Sequence, residues 1–181
     1  TNFSGYVGNS YDVSDYINFE GDNVIVIRVD ATQYEGWFYE GAGIYRHAWL
    51  NITDKIFIPN DGVFVHSKVN GKNAKVTIET EVENKNLESS NAVVYSIITD
   101  RNGKQLGKTS EQKVALSVNG KTIIKQNLNL NNVIFWSLEN PYLYKVISVV
   151  KSGNQMVHQK KTRFGIKTVK FDSKEGFFLN G

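Results

Sequence analysis

From Val76 to Glu83 the chain alternates strictly. Val76, Ile78, Thr80 and Val82 fall on one side, while Thr77, Glu79, Glu81 and Glu83 fall on the other. Side chains of an extended chain point to its two faces in turn, so this pattern fits a half-buried strand and conflicts with the 3.6-residue period of a helix. β-Branched and aromatic residues dominate further runs at Val24–Val29, Phe64–Val69, Ala92–Thr99, Val114–Val118, Thr122–Leu128, Tyr142–Val150 and Met156–Arg163. These predict strands as well. No segment has a convincing amphipathic-helix pattern.

Between the runs stand Asn70-Gly71, Asp100-Arg101-Asn102-Gly103, Asn119-Gly120 and Ser152-Gly153-Asn154. Glycine, and to a lesser degree asparagine, reaches the positive φ angles that tight hairpin turns require. Seven or so strands at this spacing, between about Gly62 and Lys170, predict an all-β fold, an antiparallel sandwich of immunoglobulin type. The chain has no cysteine, so its core has to hold the fold without disulfides. No apolar run approaches the roughly 20 residues that span a bilayer.

Charge divides the chain. Thr1–Pro59 holds eight acidic and three basic residues, a net −5, and the remainder holds eighteen basic and ten acidic, a net +8. The sign changes at the turn-forming Pro59-Asn60-Asp61-Gly62, which predicts a module boundary there. Nucleic-acid binding is not expected, because the lysines are scattered singly and not interleaved with aromatic residues.

Candidate reactive groups are sparse. Alternation puts Glu79, Glu81 and Glu83 on a solvated strand face, where a carboxylate catalytic site is not expected. His47, His66 and His158 are too far apart to suggest a metal site. No serine sits in a nucleophile elbow. No catalytic residue, metal ligand or cofactor is therefore expected.

The densest motif is Trp37-Phe38-Tyr39-Glu40-Gly41-Ala42-Gly43-Ile44-Tyr45-Arg46-His47-Ala48-Trp49-Leu50. Its small residues permit a tight loop, and its aromatic side chains supply flat surfaces of the kind that stack on sugar rings. Trp37 and Tyr39, beside the glycines, are the candidate sugar contacts, with packing an equal alternative. Tyr45 and Trp49 are expected to bury. Arg46 is expected to tie the loop down.

The run Gly41–His47 followed by Trp49-Leu50 resembles the end of the sugar-binding jelly roll of family 2 glycoside hydrolases of the β-galactosidase type. Trp136-Ser137-Leu138-Glu139-Asn140-Pro141-Tyr142-Leu143-Tyr144 is similar to the segment entering a late strand of that family's immunoglobulin-like domain. Arg163-Phe164-Gly165-Ile166-Lys167 with Gly176-Phe177-Phe178-Leu179-Asn180-Gly181 resembles the connection into its catalytic barrel. Trp37 stands where many members have an arginine, so that arginine's contacts do not carry over.

The resemblance implies that residues 1–58 are the last part of a jelly-roll sugar-binding domain, 59–165 an immunoglobulin-like sandwich, and 166–181 a lead-in to a barrel outside the chain. The two catalytic carboxylates would lie in that barrel, and both chain ends read as internal to a longer polypeptide. Function would then be accessory: the chain orients the barrel of a retaining β-galactosidase in carbohydrate metabolism and shapes its sugar pocket. The alternative is a free-standing carbohydrate-binding or adhesion module. A homo-oligomer is conceivable, and a periplasmic or secreted host is preferred to a cytoplasmic one.

Overall fold

A run of alternating residues becomes a strand only where a neighbour completes its hydrogen-bond ladder. The computed structural model describes residues 7–30 and 43–181, within two compact units, Thr1–Leu50 and Asn51–Gly181. Among the described residues all strands lie in the second unit. They are β1 (Ile56–Phe57), β2 (Val63–Asn70), β3 (Asn73–Asn84), β4 (Ser90–Thr99), β5 (Gln105–Lys108), β6 (Gln112–Leu116), β7 (Lys121–Leu130), β8 (Tyr144–Ser152), β9 (Gln155–Phe164), β10 (Val169–Asp172) and β11 (Gly176–Leu179).

β3 is the axis of the first sheet. β7 runs along one side of it, with Glu79 opposite Lys125, and β2 and the short β1 follow one another along the other, with Val63 opposite Thr80 and Ile56 opposite Asn84. β4 is the axis of the second sheet, flanked by β8 on one side and by β6 and β5 in succession on the other, with β9 outside β8. Every pairing is antiparallel. The inward faces of the two sheets close over one another as a β-sandwich. β10 and β11 pair only with each other.

The core has two apolar lobes. Val76 and Ile78 of β3, Ile98 of β4 and Val146 of β8 fill one; Val82, Val94, Leu116 and Val150 fill the other, together with Ile56 and Ile58. Full burial of each such side chain contributes about 1.5–3 kcal/mol before conformational entropy is charged.

Between the lobes each long inner strand places one polar residue: Thr80, Ser96, Gln126 and Ser148, all buried. Thr80 Oγ1 donates to Ser148 Oγ at 3.3 Å, Ser96 Oγ donates to Gln126 Oε1 at 3.0 Å, and the two serine hydroxyls lie 3.3 Å apart. Gln126 Nε2 donates to the carbonyls of Val94 at 3.2 Å and Ser110 at 3.0 Å. Among the described residues no buried side-chain nitrogen or oxygen lacks a partner. A belt satisfied throughout is compatible with a stable core, whereas a half-satisfied one would cost more than apolar packing.

Three expectations are corrected. Val24–Val29 forms no strand: its apolar side chains are exposed, Val26 at 86%, because the described residues of its unit offer no second strand to complete a ladder. That unit's described residues contain one short 3-10 turn, Ser14–Tyr16. Tyr45 and Trp49 are not buried but 65% and 79% exposed, since no facing layer exists among those residues; Trp49 stacks on His47 at 5.4 Å instead. Finally, the turn Pro59–Gly62 lies inside the second unit, which begins at Asn51. There β1 pairs with β3, and Ile56 and Ile58 are buried in the sandwich core.

Candidate functional site

Several loops meet at one end of the sandwich: Asp100–Lys104 between β4 and β5, residues 131–143 between β7 and β8, and the stretch after β9. Asp100 Oδ1 shapes the first by accepting the N–H groups of Asn102 at 2.8 Å and Lys104 at 2.9 Å. Arg101 then reaches the second loop, donating to Asn140 Oδ1 at 3.2 Å and lying 4.2 Å from the centre of the Tyr142 ring.

Tyr144, at the start of β8, anchors the same loop from below. Its hydroxyl accepts the N–H of Ile134 at 2.7 Å and donates to the Ile134 carbonyl at 3.4 Å. Burial raises its pKa against the opposing bond to Ile134, with smaller rises from Tyr142 and Asp100. The phenol therefore keeps the proton that it donates.

Trp136 is the hub. Its N–H donates to the Ile166 carbonyl at 2.8 Å, and its own carbonyl accepts Asn180 Nδ2 at 3.0 Å. Asn180, at φ 62°, also accepts the Thr168 N–H on Oδ1 at 3.0 Å and donates its own N–H to the Thr168 carbonyl at 2.9 Å. A Cβ on Gly165 would stand 3.0–3.2 Å from three Trp136 carbons, so this approach depends on glycine. Lys167 Nζ lies 4.9 Å from the centre of the indole ring. Together these contacts fix the base of the β10–β11 hairpin to the β7–β8 loop. The arrangement can hold a direction of the chain.

Trp37 and Tyr39, the expected sugar contacts, lie outside the described residues. Arg46 has its guanidinium 5.6 Å from the Tyr45 ring centre. Glu79, Glu81 and Glu83 occupy one outer face of β3 and pair with Lys125 at 2.8 Å, Lys121 at 3.3 Å and Lys85 at 3.7 Å. The hydrogen bond from Lys125 holds Glu79 below the usual carboxylate range.

The histidines stay apart. His66 lies beside Phe64, whereas His158 accepts the Ile58 N–H on Nδ1 at 3.2 Å. Burial, then the neighbouring Lys160 charge, lowers the His158 pKa, which favours the neutral ring that this bond needs. Among the described residues no group of three or more His, Asp or Glu side chains could hold a metal ion.

Residues 56–167 match the family model described as Glycosyl hydrolases family 2. The chain belongs to glycosyl hydrolase family 2. The match runs from β1 through the sandwich to Lys167, and so includes Trp136, Gly165 and Ile166.

Among relatives, the chain is 32% identical over 180 residues to the β-galactosidase BoGH2A of Bacteroides ovatus, covering 98% of this chain and 21% of that protein. It is 26% identical over 202 residues to a β-glucuronidase of Formosa agariphila, covering 99% of this chain and 20% of that one. A solved family 2 structure from Bacteroides cellulosilyticus superimposes with a TM-score of 0.87 at 30% identity, over 94% of this chain and 23% of that one. The chain thus spans about a fifth of the length of these curated relatives.

Sequence reasoning singled out both halves of the joint, Trp136–Tyr144 and Arg163–Lys167 with Gly176–Gly181, but not their meeting. No local signal announces a bond between residues 44 positions apart, as Asn180 and Trp136 are.

Proposed function

We propose that this chain is the non-catalytic sandwich region of a longer, retaining family 2 glycosidase, a β-galactosidase. In this reading it carries the catalytic barrel in a fixed direction and helps to shape its sugar pocket. The joint is the observation that carries the reading. The Trp136 loop and the Gly165–Asn180 stretch, two segments that resemble the family's own, converge on one set of hydrogen bonds where the hairpin leaves the sandwich.

The strand order, with β3 between β7 and the β1–β2 edge and β4 between β8 and the β5–β6 edge, supports an immunoglobulin-type sandwich. So does Tyr144, whose hydroxyl bonds back to the chain before its strand in the manner of a tyrosine corner. The unit Thr1–Leu50 would be the end of a jelly-roll sugar-binding domain, with Trp37 and Tyr39 at the sugar. The acid/base and nucleophilic carboxylates, about 5 Å apart in a retaining enzyme, would lie in the barrel.

The test is the longer polypeptide on 4-nitrophenyl β-galactoside and β-glucuronide. Hydrolysis of the galactoside with retained anomeric configuration is expected. Failure on both substrates overturns the reading, and preference for the glucuronide overturns the choice of galactose.

A further inference from the structure

The two outer faces of the sandwich are charged in opposite styles. On the first sheet carboxylates and lysines alternate and neutralise one another, as Glu79–Lys125 and Glu81–Lys121 do. On the second sheet, alternation and register bring Lys108, Lys113, Lys145, Lys151, Lys161 and Arg163 to one face, from four different strands. Glu111 pairs there with Lys108 at 3.3 Å and with Lys151 at 3.2 Å. Lys113, Lys145, Lys161 and Arg163 form no ion pair among the described residues.

Lys145 stands directly opposite Arg163, and Lys161 opposite Ile147. Like charges directly across a ladder destabilise it. The floor between the cations is apolar and half-buried: Val93, Tyr95, Ile97 and Ile147. Thr99, Gly103, Lys145, Ile147, Lys161 and Arg163 line an open cleft at one end. An apolar centre inside a charged rim is the anatomy of a protein interface. Aliphatic side chains make a poor stacking surface for sugar or base rings, and the one aromatic, Tyr95, is covered by Lys108 Nζ 3.9 Å from its ring centre.

We propose that this face is an intramolecular docking surface, covered by an acidic surface with an apolar centre that belongs to another part of the same polypeptide. The proposal rests on the reading of the chain as part of a longer glycosidase. Charge complementarity carries it: four unpaired cations on a β-branched floor call for carboxylates.

The experiment compares Lys161→Glu and Arg163→Glu in the 181-residue chain and in the longer polypeptide, by thermal unfolding at low salt and in about 0.5 M NaCl, which shortens screening to about 4 Å. Both residues are exposed, and Lys145→Gln, which only removes a charge, serves as the milder control. In the 181-residue chain each reversal relieves repulsion, and the sandwich transition should rise by about 1–3 °C. In the longer polypeptide each should lower it by several degrees, a loss that salt diminishes.

The same rise in both contexts overturns the proposal, because the face is then free in the whole protein. A fall in both overturns it too, because the cations then serve the sandwich itself. Equal binding of polygalacturonate or single-stranded DNA by both forms, lost in the reversals, would assign the face to a polyanion instead. Aryl-glycoside hydrolysis by the same longer polypeptide tests the glycosidase reading separately.

Discussion

Gln126 is the residue on which the polar belt turns. It accepts from Ser96 and donates to the carbonyls of Val94 and Ser110, so Gln126→Leu removes a partner from three groups at once, two of them on the buried Ser96 and Val94. Unfolding in urea should show a loss of about 1–3 kcal/mol or more. A neutral result would mean that the belt is dispensable. His158 sets a pH dependence. Its folded pKa lies below the ordinary value, so the unfolded chain takes up the proton first. Its contribution is therefore complete above about pH 6.5 and declines as pH falls toward the lowered folded value. The urea midpoint should drop between about pH 7.5 and 5.5, and His158→Gln should flatten that part of the curve; an unchanged slope would deny His158 the role. The belt was half legible in the sequence: Thr80 shares the apolar side of its strand with Val76, Ile78 and Val82. That Ser96, Gln126 and Ser148 lie at the same level was not, because level depends on register between strands far apart in sequence.

At the scale of the element, alternation located every long strand of the sandwich. It missed β1, with two residues, and β5, with four, since so few positions cannot display a period. It overreached at Val24–Val29, where composition favours a strand but no ladder partner is present among the described residues. The β10–β11 hairpin is the opposite case, because a lone two-stranded ribbon is marginal in water and depends on how its base is held. Asn180 does the holding. Asn180→Ala should speed amide exchange at Thr168 about tenfold while leaving Val146 in the core unchanged. If Thr168 exchanges as before, the side chain is not what fastens the hairpin.

For the molecule as a whole, the charge swing and the turn at Pro59–Gly62 pointed to a division near residue 59, whereas burial of Ile56 and Ile58 carries the sandwich unit back to Asn51. Described residues 43–54 are exposed and unpaired in any sheet. Limited proteolysis should therefore cut first between Gly43 and Asp54, not within Phe57–Gly62, as mass spectrometry of the earliest fragments can read. First cuts beyond Phe57 would contradict the assignment of β1 to the sandwich. The basic face was invisible in the sequence for a related reason: its six cations come from four strands, and only the register gathers them. In the proposed reading this chain supports a family 2 glycosidase without performing its chemistry. Assay of the highly purified 181 residues on 4-nitrophenyl β-galactoside tests it most directly. No turnover above buffer is expected, and sustained hydrolysis that co-purifies with the chain would overturn the proposed reading.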